Sequence, residues 1–302
     1  MKKLYGIVPA LLTPFDEQGR IDEEALRSHC DFLVKAGVHG LFALGTTGEF
    51  FLMSLEERKT VAERVVKYID GRIPVYIHVG ANLTRDTCEL ASHAQDIGAD
   101  GVGAVTPYFL GVAQADLIDY YKSLASSVKN DFPIYVYNIP GCTGNDMLPE
   151  TVLELSRESN IVGIKTSTED FIRNLNLLRT LPDGFDVLMG HELAFVPGLA
   201  SGVKGCISGI ANAFPEIFVM IYRSVMDKEL EKARYYQETV TKLALFLYKN
   251  NRNLTNYKEA LHWRGLKKTY TRQPLHKNSE EEMEYVHRNL KEITDTWASG
   301  IL

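Results

Sequence analysis

The feature that most constrains this chain is the repetition of a strand-like run followed by a helix-like one. Short segments rich in Val, Ile and Tyr fall at 6–12, 40–45, 74–80, 101–106, 134–138, 161–165, 186–190 and 205–208. Most are nearly continuous in apolar character, as parallel strands covered on both faces require. The stretches between them carry helix start and stop signals. Ser54 with Glu57 forms a capping box ahead of a face made by Val61, Val65 and Ile69. Asp22 caps a helix running through Phe32 with Gly37 beyond its end, and Gly98 closes a helix begun near Thr84. Eight such units joined by right-handed crossovers predict an α/β fold, a (β/α)8 TIM barrel spanning 1–214. From about Pro215 the pattern turns to helices alone. An apolar stripe runs through Leu243, Leu245, Phe246 and Leu247, and a further helix covers 279–298, which predicts a C-terminal helical region, 215–302, packed on the barrel.

Composition narrows the class of partner. Of 302 residues, 45% are hydrophobic and 24% charged, which supplies a large core and excludes a disordered or fibrous chain. The net charge is −6 and no Lys/Arg run tracks a phosphate backbone, so nucleic acid is not an expected partner. No stretch reaches the roughly 18 apolar residues of a bilayer crossing, so no membrane association is expected. The opening MKKLYGIVPALLTPF has the charge of a secretion signal, but Pro9, Pro14 and Asp16 interrupt its apolar run and no A-x-A site follows. Cys30, Cys88, Cys142 and Cys206 are scattered without a CxxC pair, which points to free thiols in a reducing compartment, the cytoplasm.

In barrels of this kind chemistry sits at the C-terminal ends of the strands. Those ends are polar here: Thr46, Thr47, Gly48 and Glu49 follow the second run, Tyr108 the fourth, Tyr137 and Asn138 end the fifth, Lys165 ends the sixth, and His191 and Glu192 follow the seventh. Lys165 closes the run NIVGIK with Val162 and Ile164 as strand neighbours, placing its amine in a partly desolvated barrel mouth. Desolvation disfavours an ammonium, and an uncharged amine condenses with a ketone to an iminium that withdraws electrons from the neighbouring carbon. The alternative is a strand-end lysine snorkelling to solvent or pairing with a carboxylate. Tyr137 faces inward if alternation holds from Tyr135, where a phenol shuttles protons beside an iminium; alternatively its ring fills the barrel. The segment LGTTGEF offers backbone N–H groups and Thr hydroxyls suited to a carboxylate, or is a tight turn that needs glycine.

Taken together, GTTGE at 45–49, TPY at 106–108, YNIP with a following Thr143 at 137–143, and GIK at 163–165 resemble the dihydrodipicolinate synthase and N-acetylneuraminate lyase family of class I pyruvate-dependent aldolases. The order and spacing match across essentially the whole chain. The resemblance implies that Lys165 is the Schiff-base lysine and Tyr137 the proton-transferring phenol, linked to Thr46. It also implies that Thr46 and Thr47, with Gly48, bind the pyruvate carboxylate, and that the Ile207 carbonyl orients the intermediate. Members assemble as homotetramers in which an aromatic residue after the fourth strand, here in the Tyr108 and Phe109 region, enters a neighbour's site.

Two departures from the family pattern bear on the substrate. The synthases carry a second tyrosine where Phe109 stands and an arginine, bidentate toward the carboxylate of aspartate semialdehyde, where this chain has Cys142. Both point to a lyase that interconverts a 2-keto-3-deoxy sugar acid with pyruvate and an aldehyde; sialic acid and 2-keto-3-deoxygluconate are candidates. Glu192 and Ser208 stand where lyases bind sugar hydroxyls, and Ser167, Cys142 and Thr143 join that pocket by the same resemblance. His191 and Glu192 also read as a helix N-terminal pair. No cofactor is expected beyond the covalent imine, and no metal. The alternatives are a dihydrodipicolinate synthase, a keto-acid dehydratase, a metal-dependent aldolase using His78, Glu49, His191 and Glu192, and a keto-acid-binding sensor. The spacing of those four residues matches no metal motif.

Overall fold

The computed structural model describes residues 2–296. Eight parallel strands, β1 (Gly6–Pro9), β2 (Leu41–Ala43), β3 (Val75–His78), β4 (Gly101–Val105), β5 (Ile134–Asn138), β6 (Ile161–Thr166), β7 (Asp186–Met189) and β8 (Gly205–Ser208), form one sheet in the order β1-β8-β7-β6-β5-β4-β3-β2. The two edges meet where Ala10 bridges Phe42 and the Leu11 amide donates to the Phe42 carbonyl at 2.9 Å, giving a nearly closed (β/α)8 TIM barrel. Most strands are shorter than their apolar runs. β2 stops at Ala43 because Leu44 takes a left-handed backbone, φ 60°, that turns the chain into the following loop.

Large rings fill the barrel because glycines face them. A Cβ on Gly101 would lie 2.3 Å from the Tyr76 ring, and one on Gly163 would lie 2.4 Å from the Tyr135 ring. The Tyr135 hydroxyl donates to Asp186 at 2.8 Å and accepts from the Leu4 amide at 3.1 Å, so the polar end of this buried ring is satisfied. A second, larger core lies between the strands and the outer helices and includes Leu26, Val61, Leu90, Leu117, Val152 and Leu177.

The helix signals operate as expected. Ser54 and Glu57 exchange hydrogen bonds of 2.9 and 3.2 Å at the start of the Leu55–Ile69 helix. Asp22 accepts from the Ala25 amide, though its helix continues past Phe32 to Lys35. After β8 the helix Pro215–Met226 lies against β1. Helices Leu230–Leu247, Asn253–Trp263 and Glu280–Thr296 follow. Leu243, Phe246 and Leu247 are buried, but Leu245 points to solvent, which removes it from the expected stripe. The last helix was expected to reach 298; positions 297 and 298 lie outside the described residues. Among the described residues no helix is long and apolar enough to cross a membrane.

Candidate active site

Strand register brings Lys165 and Tyr137 together: their Cα atoms are partners across β5 and β6. Both side chains point into the barrel mouth and are almost fully buried, at 4% and 1% exposure. The Lys165 Nζ sits over the Tyr137 ring, 4.0 Å from its centroid, and 5.1 Å from that of Phe42. Among the described residues no carboxylate forms an ion pair with this amine, which rests against the aromatic faces of Tyr137 and Phe42. The Tyr137 hydroxyl lies 3.4 Å from the Thr46 hydroxyl, which links the phenol to the turn after β2.

Phe50 and Val105 pack against Tyr137. His78 stacks against Phe50 with ring centroids 4.4 Å apart, and its Nε2 accepts from the Val105 amide at 3.1 Å. Burial, and then the Arg58 and Lys165 charges, hold the His78 pKa well below the usual histidine range, so this ring stays neutral and serves as an acceptor. Arg58 is itself buried and donates to the Gly80 and His78 carbonyls at 3.1 and 3.0 Å, fixing the end of β3.

One cavity is lined by Thr46, Thr47, Tyr137, Cys142, Lys165 and Ser167, with Glu192 and Ile207 on its other side. The remaining expected residues stand behind or away from this wall. Gly48 is buried, its carbonyl accepting from the Thr13 hydroxyl at 2.8 Å. Thr143 bonds the carbonyls of Ile139 and Asn145, at 3.2 and 3.0 Å, and so holds the loop after β5. Ser208 donates to Glu192 at 2.8 Å. Tyr108 stacks edge-on against Phe50, whereas Phe109 is 98% exposed with a left-handed backbone and points away from its own cavity.

Glu192 is a junction between strand ends. One carboxylate oxygen accepts from the Ser208 hydroxyl and the Gly209 amide, both at 2.8 Å, and the other from the Tyr248 hydroxyl at 2.6 Å. Glu49 pairs with Lys258, and no group of three potential metal ligands converges among the described residues.

Sequence reasoning missed several residues of this cavity. Tyr248, Asn251, Asn253 and Tyr257 reach it from the C-terminal helices, and the only available signal was the polar stretch NNRN at 250–253 breaking an apolar pattern. Gly190 was also missed. A Cβ there would lie 1.9 Å from the Ser167 hydroxyl oxygen and 3.0 Å from the Lys165 Cε, so glycine is required for close approach.

A profile of the dihydrodipicolinate synthetase family matches residues 3–293. The probable 2-dehydro-3-deoxy-D-pentonate aldolase YjhH of Escherichia coli is 38% identical over 293 residues, covering 95% of this chain and 96% of that one. A 4-hydroxy-tetrahydrodipicolinate synthase of Methanopyrus kandleri is 36% identical, covering 96% and 97%. The crystal structure of YagE of E. coli, in complex with pyruvate, superposes with a TM-score of 0.93 at 32% identity, covering 96% of this chain and 98% of that one.

Proposed function

The chain belongs to the dihydrodipicolinate synthetase family, and on that premise we propose a Schiff-base aldolase that cleaves, or in reverse builds, a 2-keto-3-deoxy sugar acid. The observation that carries this reading is the charge of the cavity wall. Among the described residues Lys165 is its only cation, and Cys142 stands at its rim. An aldehyde partner with its own carboxylate would need a guanidinium fork there, and a thiol offers none. Ser167, Thr168, His191, Asn251 and Asn253 instead present hydrogen-bonding groups suited to a chain of hydroxyls.

In this mechanism the substrate carboxylate docks against Thr46 and Thr47 while the Lys165 amine attacks the keto carbon. The carbinolamine loses water, with Tyr137 carrying the protons, and leaves an iminium. Breaking the C3–C4 bond sends its electron pair toward the iminium nitrogen as the C4 hydroxyl gives its proton to Tyr137, directly or through the bound carboxylate, releasing the aldehyde and leaving an enamine. Protonation at C3 and hydrolysis then return pyruvate and the free amine. The cycle so drawn uses no metal or cofactor beyond the covalent imine. The exposed Phe109 ring supports assembly into a homotetramer in which it meets a neighbouring site, and the free cysteines support a cytoplasmic setting.

Reduction with borohydride in the presence of pyruvate, followed by peptide mass analysis, tests the imine; the expected product is a pyruvyl adduct on Lys165. A panel of 2-keto-3-deoxy acids, run beside pyruvate plus aspartate semialdehyde, tests the substrate class. Turnover confined to the semialdehyde pair would replace this reading with the synthase, and an adduct without turnover of any substrate would favour a sensor.

A further inference from the structure

The turn that carries Thr46 and Thr47 ends at Glu49, an unusual residue for its position. Glu49 is fully buried and adopts a left-handed backbone, φ 60°, that a side-chain-bearing residue rarely takes. Its amide closes the turn by donating to the Thr46 carbonyl at 3.0 Å. Neither Glu49 nor its partner Lys258 lines the cavity.

The C-terminal region supplies the partners that hold this residue. Lys258, 2% exposed and 209 residues away in sequence, donates to one Glu49 carboxylate oxygen and to the Tyr270 carbonyl. The Arg272 amide donates to the other carboxylate oxygen at 3.0 Å. The Arg272 guanidinium grips the same segment further on, through the Leu52 carbonyl and Glu57. Both cations lie against the Phe15 ring, Lys258 4.6 Å and Arg272 4.3 Å from its centroid. Each carboxylate oxygen thereby accepts from a donor of one distant region, and the backbone of Glu49 is the end of the Thr46–Thr47 turn.

We propose that Lys258, acting through Glu49, is a positioning residue that sets the Thr46–Thr47 turn for the keto-acid carboxylate, so that this pair governs pyruvate affinity although neither residue lines the cavity. This inference rests on the proposed carboxylate role of that turn. Loss of the anchor weakens contacts made equally in the ground and transition states, so it is read mainly in KM and in pyruvate affinity, not in kcat.

The test is borohydride trapping of the full-length enzyme over a range of pyruvate concentrations, with pyruvamide as an uncharged counterpart. Thermal unfolding is followed in parallel. In Lys258→Met the half-saturating pyruvate concentration is expected to rise about 10-fold or more, with Lys165 still trapped at saturation and the response to pyruvamide little changed. Lys258→Arg should restore pyruvate affinity to within about threefold. Because Lys258→Met leaves a buried carboxylate without its cation, it is paired with the double variant Glu49→Gln/Lys258→Met, which buries no net charge. Low pyruvate affinity in that folded double variant supports the proposal. Unchanged pyruvate affinity, with only a lowered unfolding temperature, overturns it and assigns the pair to stability alone. If the unaltered enzyme traps pyruvamide as readily as pyruvate, the carboxylate role of the turn falls, and this inference with it. If it traps neither on Lys165, the proposed function falls as well.

Discussion

Tyr137 and Lys165 are opposed across β5 and β6, and the amine lies 4.0 Å above the centre of the phenol ring. Parallel strand pairing fixes this distance, because a register slip of one residue would send one of the two side chains to the outer face. The hydroxyl of the same ring is turned toward Thr46, so one side chain touches both the amine and the turn proposed to hold the carboxylate. Reactants held in this way need little rearrangement before bond formation.

The pair has separable duties. Lys165→Ala should abolish the trapped adduct and turnover together. Tyr137→Phe keeps the ring under the amine and removes only the hydroxyl, so the adduct should still form at long incubation while kcat falls by about 10²–10⁴-fold. Single-turnover kinetics distinguish the two; a Tyr137→Phe enzyme with unaltered kcat would contradict the proton-transfer role.

Gly190→Ala should damage catalysis more than folding. The added methyl meets the Ser167 hydroxyl and the Lys165 stem, and the Ser167 side chain must move before the backbone does. Displacing the amine by a fraction of an ångström is expected to lower kcat/KM by about 10-fold or more. The unfolding temperature should change little by comparison, and calorimetry beside steady-state kinetics checks both.

Substrate choice is expected to follow the charge at position 142. Cys142→Arg places a guanidinium at the cavity rim, where it pairs with a second carboxylate. Condensation of pyruvate with aspartate semialdehyde should rise relative to sugar-acid cleavage, and the ratio of the two kcat/KM values measures the switch.

Acid should destabilise the protein through His29. Burial lowers its pKa from 6.5 to about 4, and its Nε2 lies 3.3 Å from the Asn212 carbonyl. Between those two values the unfolded chain binds the proton and the folded chain does not, so stability is fully present above about pH 6.5 and falls as pH drops toward 4. The whole window corresponds to roughly 3 kcal/mol. Denaturant titrations at neutral and acidic pH should show this slope, made shallower in His29→Leu.

The barrel was legible because its causes are local. Eight apolar runs, the Ser54 capping box and the Asp22 cap each act within a few residues, and parallel strands announce themselves by burial on both faces. The positions of Lys165 and Tyr137 at strand ends were legible for the same reason, since each ends a recognisable run, while the register that opposes them came from the structure. The expected roles of Thr143 and Ser208 were harder to judge, because position after a strand does not say whether a hydroxyl turns to the cavity or to a neighbouring carbonyl or carboxylate.

Side-chain pattern along the chain thus determined the strands, their order and the strand-end positions of Lys165 and Tyr137. Tertiary structure alone decided that Asn251 and Asn253 join the cavity wall, that Gly190 makes room for the amine, and that Glu49 is clasped by Lys258. The physical reason is separation. A buried charge finds its counter-ion, and a cavity its far wall, wherever the closed barrel brings the C-terminal helices, and no local periodicity encodes that meeting.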